Sequence, residues 1–282
     1  MRRVEPKLYT KEYYLTGCTG YNEFKKTWGK VLEPRLKRIV KEIPSVKGLR
    51  VLDIGCGRGE LVFWSARQGA KEVLGIDYSK NAIELANIAK NHYTKDVQNR
   101  VNFIVMDAKK MNFPNYRFDA IYMTEVLEHL YPEEQESIFK KIYNILDNNG
   151  FVVIHTAPNK WFINYTYRFW CYPISTFLIW INYIVTKNKY SNLLKWSSVR
   201  KGYEKLMHIN EPIYFSLKIL LNKHRFTNKI YSTNITVTKP ELSWKDYLFN
   251  FLVYLYPLSK IFPFNVLWGN DFIIIARKLK TN

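Results

Sequence analysis

Three glycines and three acids set the chemistry open to this chain. Val51-Leu52-Asp53-Ile54-Gly55-Cys56-Gly57-Arg58-Gly59-Glu60 passes from a short apolar run, through alternate glycines, into an apolar-periodic segment. That order reads as strand, tight turn, helix. Glycines at this spacing free the turn to use φ > 0 and let backbone N–H groups approach a ligand. The helix N-terminus that follows favours negative charge. No Gly-Lys-Ser/Thr follows the turn, which excludes a phosphate-cradling P-loop. The third glycine comes one residue early for a dinucleotide fingerprint, and Asp53 stands where that fingerprint carries an apolar residue. Two more acids close strand-like runs, Asp77 after Glu72–Ile76 and Asp107 after Val101–Met106. In doubly wound folds an acid at the Gly57-to-Asp77 spacing accepts hydrogen bonds from ribose hydroxyls. Its structural alternative is to cap the helix that Ser79 and Asn81 begin.

The elements that must position these groups alternate in type. Helical spacing covers Tyr21–Ile43, stopped by Pro44; Glu60–Gln68, closed by Gly69; and Ser79–Asn91. Phe118–Met123 is a fourth strand, with Asp119 structural at its start, and Thr124-Glu125-Val126-Leu127-Glu128-His129-Leu130 follows. Pro132 suits the first position of a helix running to about Leu146, with Glu133 and Glu134 in its first turn. Asp147–Gly150 reads as a turn and Phe151–Thr156 as strand five. Ile213–Asn222 is a helix, Lys229–Val237 strand six and Asp271–Ala276 strand seven. Strands alternating with helices predict an α/β fold, a doubly wound sheet with a nucleotide-like ligand at its carboxyl edge.

Asp53-x-Gly55-x-Gly57-x-Gly59 resembles motif I of class I S-adenosylmethionine (SAM)-dependent methyltransferases, and Glu125 to Leu130 resembles the E-V-L-E-H segment of their ubiquinone-biosynthesis-like branch. Within that branch the resemblance runs above all to methyltransferase-domain proteins found among bacterial cell-envelope and polysaccharide genes. They share the Tyr13-to-Phe24 pattern, the D-I-G-C-G-R-G-E block, Gly75-Ile76-Asp77-Tyr78-Ser79, His155-Thr156-Ala157-Pro158-Asn159 and His208-Ile209-Asn210-Glu211. The resemblance implies a Rossmann-like seven-stranded sheet with strand seven antiparallel, and SAM as cofactor. It implies a cofactor site of Asp53, Gly55, Cys56 and Gly57 at the methionine end, Asp77 and Tyr78 at the ribose, Asp107 and Ala108 at the adenine, and Glu125 near the sulfonium. The implied organisation is an N-terminal helical cap over 1–48, a SAM-binding core over 49–159, an insertion over 160–209 and the rest of the core over 210–282. Most cap aromatics read as packing, with Tyr13, Tyr14 and Tyr21 able to line the site.

The rest of the chain bears on partners. A hydrophobic content of 47% excludes a disordered chain, and a net charge of +19 favours an anionic surface or substrate, with a Lys-rich compositional bias as the bland alternative. Three scattered cysteines, Cys18, Cys56 and Cys171, form no disulfide framework or zinc motif and suit a reducing compartment. No metal-ligand cluster is visible, so no metal is expected. The N-terminus leads into no apolar h-region, so a cytoplasmic location, at the inner face of a membrane, is expected. Phe169–Thr186 is an uncharged aromatic run near the transmembrane length limit. A second aromatic stretch spans 240–268. Both flank strands that end at the cofactor edge, so they suit a lid, an apolar substrate groove, a peripheral membrane contact over 160–190 and 240–268, or a dimer interface. Two hairpins packed on each other are the structural alternative.

Methyl transfer needs little acid catalysis, and alignment can supply roughly 7–11 kcal/mol of the acceleration. A hydroxyl acceptor still needs a base. His129 is best placed, with a helix-end hydrogen bond as its structural alternative; His155 and His208 come after it. The expected reaction is O-methylation of a cell-envelope glycan, its lipid-linked precursor or a related metabolite. A quinone or lipid methyltransferase and a non-catalytic SAM-binding scaffold are the rivals. Nucleic acid is disfavoured as a partner, because no RNA-binding motif accompanies the charge.

Overall fold

The computed structural model describes residues 4–18, 20–200, 202–234 and 243–279. The expected end of strand six at Val237 and the start of the second aromatic stretch at Pro240 lie outside the described residues.

Seven strands form one sheet: β1 Arg50–Ile54, β2 Glu72–Asp77, β3 Val101–Val105, β4 Phe118–Thr124, β5 Leu146–Thr156, β6 Phe226–Tyr231 and β7 Phe272–Lys278. Their order is β3-β2-β1-β4-β5-β7-β6. β7 pairs antiparallel with both neighbours, Ile154 opposite Ile274 and Ile230 opposite Ile274 in turn. This is the expected doubly wound sheet with one reversed strand.

Both faces are buried, as a mostly parallel sheet requires. Successive residues point to opposite sides, and the core divides accordingly. Leu52, Ile121, Met123, Val152 and Ile274 join a cluster under α6 Pro132–Ile145 and α9 Tyr214–Lys223. Val51, Ala120, Tyr122, Val153 and Ile273 join the opposite cluster, under α2 Pro34–Glu42 and α3 Glu60–Arg67. α4 Lys80–Lys90 starts at Ser79, whose side chain accepts from Ala82 N, and the short α5 Lys95–Arg100 leads into β3.

Several boundaries differ from the sequence reading. The single helix expected over Tyr21–Ile43 is two, α1 Tyr21–Thr27 and α2, because Trp28 and Gly29 both take positive φ and Pro34 restarts the chain. Trp28 leaves the helix to stack on His92, with ring centroids 4.0 Å apart. β5 begins at Leu146, so Asp147–Gly150 is an irregular strand segment rather than a turn; the register shifts beside it, between Phe118 and Ala120. β6 starts and ends earlier than expected, because Ser232–Asn234 turn aside to bind Asp271.

The first insertion opens as a π-helix, Phe162–Cys171, that runs straight into α7 Tyr172–Thr186. The combined Phe162–Thr186 is the one helix among the described residues long and apolar enough to cross a membrane. It ends where Lys187 adopts a left-handed conformation. α8 Gly202–Met207 then leads back to the sheet. The second insertion carries α10 Trp244–Tyr254 and the short α11 Asn265–Trp268. Thr156 pairs with Phe272 and Tyr231 with Ile273. Both insertions therefore leave and rejoin at the carboxyl edge of the parallel strands.

Candidate active site

The Gly-rich turn is fixed to its neighbour strand by its own amides. Gly55 N and Cys56 N both donate to Ile76 O, at 2.8 and 3.0 Å. Gly57 N donates to Asp77 Oδ2 at 3.1 Å, and Asp77 Oδ1 accepts from Ser79 N at 2.8 Å. Two of the glycines are required for different reasons. A Cβ on Gly55 would lie 2.3 Å from Val126 Cγ2, so that residue permits packing. A Cβ on Gly57 would meet nothing within 4 Å, and Gly57 lines open space. Its bare backbone is a wall of the cleft.

That wall carries two buried carboxylates. Burial pushes the Asp77 carboxyl up to about 6, against the pull of its backbone hydrogen bonds. Burial, with the nearby Asp77 charge adding, pushes Asp53 well above the usual carboxylate range. Asp53 Oδ1 is buried with no hydrogen-bond partner. An orphaned acceptor beside a bare glycine suits a ligand that brings its own donors. The ammonium and ribose hydroxyls of SAM are such donors, so the residues present fit that cofactor.

Two adjoining clefts meet here. The first is lined by Gly55, Gly57, Asp77, Tyr78, Asp107, Ala108, Glu125 and His129, bringing together eight of the expected site residues. The second is lined by the other two, Asp53 and Cys56, and by Arg35, Met207 and His208. Gly57, Glu125 and His129 are common to both. Asp107 faces the first cleft while also capping its own turn, accepting from Lys109 N at 2.9 Å. From the N-terminal segment Tyr9, Tyr13 and Tyr14 line the first cleft, but Tyr21 does not. Arg58 ties that segment down, donating to Tyr14 O at 3.1 Å and pairing with Glu60 at 2.8 Å.

The end of β4 is held by a chain of charges. Glu125, in the left-handed region at φ 55, pairs with Arg35 at 2.6 Å and with His155 Nδ1 at 2.5 Å. His155 Nε2 reaches Asp271 at 2.9 Å. Burial would raise the Glu125 carboxyl, but Arg35 and His155 outweigh it and hold it at about 2. Burial alone would lower His155; Glu125 and Asp271 outweigh it and raise it to about 9. His155 is thus a fully buried imidazolium lining neither cleft, which removes it as a candidate base. Both oxygens of Glu125 have partners within the protein, so Glu125 shapes the cleft as part of this chain.

The sequence shows no metal-ligand spacing, but the fold brings three possible ligands together. Glu128, His129 and His208 each offer a ligand atom, all within 4.8 Å of one another. Ile209 N and Asn210 N both donate to Glu128 O at 3.1 Å, pinning the end of the first insertion against the β4 exit. Glu128 is fully buried; Oε2 accepts from Thr156 at 2.8 Å and Oε1 has no partner. Burial, with the Glu125 charge adding, raises its carboxyl to about 8. His129 Nδ1 lies 3.1 Å from Met207 O. A carbonyl only accepts, so Nδ1 carries the proton and Nε2 keeps its lone pair. Fixing the second nitrogen on a carbonyl is how ligating histidines are oriented. Burial lowers His129 to about 4, with His208 adding. A neutral imidazole with its Nε2 lone pair kept can take a proton or a metal ion. The donor set, one carboxylate and two imidazoles, suits a divalent transition metal or zinc.

Comparison with known proteins agrees with this geometry. Residues 51–150 match a family model described as a methyltransferase domain. The ubiquinone biosynthesis O-methyltransferase of Coxiella burnetii is 39% identical over 104 residues, 37% of this chain and 42% of that protein. The 27-O-demethylrifamycin SV methyltransferase of Amycolatopsis mediterranei is 37% identical over 93 residues, 33% of this chain and 34% of that protein. Phosphoethanolamine N-methyltransferase 3 of Arabidopsis thaliana is 31% identical over 118 residues, 42% of this chain and 23% of that protein. The chain therefore spans less than half the length of the curated relatives it matches. Among solved structures, SAM-dependent methyltransferases from Mesorhizobium loti and Archaeoglobus fulgidus share the fold. The first has a TM-score of 0.54 at 16% identity over 86% of this chain and 96% of its own; the second, 0.53 at 21% over 93% and 100%. Residues 51–150 thus match a methyltransferase domain and lie on a fold shared with SAM-dependent methyltransferases.

Arg35, Glu128 and Asp271 were missed as site residues. Glu128 lies within the Glu125-to-Leu130 segment and His208 within His-x-Asn-Glu, but nothing in the sequence joins residues 80 positions apart. A paired reading of the Glu-His and His-x-Asn-Glu segments was the available signal.

Proposed function

We propose that the chain is a SAM-dependent O-methyltransferase acting on a hydroxyl of a cell-envelope glycan, its lipid-linked precursor or a related small metabolite. The observation that carries the O-methyl reading is that His129 lines both clefts and His208 the second, with the fully buried Glu128 placed so that the ligand atoms of all three lie within 4.8 Å of one another. The envelope acceptor rests on the resemblance of the flanking segments.

Asp53, Gly57, Asp77 and Asp107 would hold the cofactor, which when bound would supply an electrophilic methyl whose leaving group is a neutral thioether. Tyr9, Tyr13 and Tyr14 cover it and exclude water. The Arg35–Glu125–His155–Asp271 chain keeps the β4 exit rigid, so positioning is set before the acceptor arrives. A divalent cation on Glu128, His129 and His208 would lower the pKa of a hydroxyl placed against it. That would remove the need for a strong side-chain base.

The test is a labelled-methyl assay on cell-envelope extracts, with calorimetry for SAM. Transfer is expected to stop on chelation and in Glu128→Gln, with SAM affinity kept. No SAM binding would sink the reading; binding without transfer to any extract would leave a SAM-binding scaffold. The likeness to the ubiquinone biosynthesis enzyme supports a second reading, a quinone or lipid methyltransferase. Transfer to quinone precursors but not to glycan fractions would select it.

A further inference from the structure

Apolar side chains usually close onto a core of their own chain. α7 does the reverse. Of its fifteen residues only Ser175 is buried. Phe177, Trp180, Ile181 and Ile184 follow the i, i+3, i+4, i+7 spacing of one helix face, and all four are exposed, Trp180 by 57%. α10 repeats the pattern with Trp244 and Tyr247. The two helices are one unit, because Cys171 and Val253 share a buried cluster and Trp170 Nε1 donates to Leu252 O at 3.1 Å.

The charge around the first helix of this unit is basic, while α10 carries both Lys245 and Asp246. Residues 160–203 contain seven lysines and arginines and neither aspartate nor glutamate. Lys187 ends α7, and Lys189 and Lys195 follow in exposed positions. Arg168 sits over Trp196, 4.3 Å from the ring centroid, and 4.8 Å from that of Phe169.

We infer that the α7–α10 face is a docking surface for an anionic lipid bilayer. Tryptophan and tyrosine beside lysine and arginine make the side-chain set that settles at headgroup level. A second copy of the same face would bring like charge against like charge, which disfavours a symmetric dimer there. The helix lies along the surface rather than across it. Asn159, just before it, donates from its backbone to Asn270 O, while Glu128 O holds Ile209 and Asn210 after it, so both ends return to one sheet edge. The clefts open at that edge. Resting on the methyltransferase reading, docking would offer the site an acceptor that stays anchored in the bilayer; the docking itself stands without that reading.

The test is sedimentation of the full chain with vesicles of phosphatidylcholine, with and without phosphatidylglycerol. The chain is expected to bind the anionic vesicles about tenfold better and to lose that advantage in high salt. Phe177→Ser with Trp180→Ser should weaken binding about tenfold, leaving melting temperature and SAM calorimetry unchanged. Lys187→Glu with Lys189→Glu should weaken it with every aromatic in place, so a folding defect in the first variant would leave the inference exposed to test. Equal binding to both vesicle types would overturn it, as would variants that bind like wild type. A wild-type dimer dissociated by the aromatic variant would overturn it too, assigning the face to a second copy. Loss of SAM binding with sedimentation intact would count against the methyltransferase reading alone.

Discussion

α3 and α7 are both rich in apolar residues and end in opposite surroundings. In α3 six of eight residues are buried against the sheet, and Phe63 stacks on Tyr93 at 4.2 Å and meets Phe103 edge-on at 5.4 Å. In α7 one residue of fifteen is buried. Apolar content shows that a helix needs a partner but not that the partner belongs to the same chain. The contrast extends to the clefts: the cofactor wall is built by elements of the first kind, and the insertions of the second kind rise from the same edge.

Truncation separates the two regions most strongly. Phe63→Ala should cost about 4 kcal/mol in urea unfolding, since it empties a closed site. A loss under about 1 kcal/mol would break the contrast. The cofactor turn should respond almost as much. Gly55→Ala forces a Cβ into Val126 at positive φ, and about 3 kcal/mol is expected, partly restored by adding Val126→Ala. Next in size is a pH effect. His155 has its folded pKa raised to about 9, so its stabilisation is complete below its ordinary value near 6.5 and fades as pH climbs through 9. Stability should fall by about 2–3 kcal/mol across that window, and His155→Gln should remove that part of the slope. Gly57→Ala should cost only about 1 kcal/mol of stability, yet its Cβ enters the space the cofactor needs, so calorimetry should show SAM affinity reduced by about tenfold or more. Phe177→Ala should stay within about 0.5 kcal/mol of wild type, as exposed substitutions do. A larger loss there would mean that α7 packs against the chain after all.

Legibility followed the same divide. The sheet was readable because buried parallel strands leave short apolar runs, and because Gly55, Gly57, Asp77 and Asp107 sit at spacings that local backbone geometry enforces. The reversed last strand came with the family resemblance. The break between α1 and α2 was missed because periodicity continues through Trp28 and Gly29 while the backbone does not. His155 stayed open as a lesser candidate because a histidine at a strand end looks the same in sequence whether it faces a cleft or two buried carboxylates. The Glu128–His129–His208 cluster was missed for a related reason: its third member arrives through tertiary hydrogen bonds to Glu128 O, which no local pattern encodes.

Asp271 has a consequence beyond charge. Its carboxylate accepts from Ser232 Oγ, Thr233 N and Asn234 N, and from His155. Residues on both sides of the second insertion are therefore clasped at one side chain. Once a loop's stem is clasped, doubling its length adds only about 0.6 kcal/mol of closure entropy. Within that excursion Ser259, Lys260 and Asn265 are tied to β6 and its exit, while the exposed face of α10 is free to change composition without disturbing the strands beneath. Such a chain can trade one outer surface for another over evolutionary time without rebuilding the machinery that holds its cofactor.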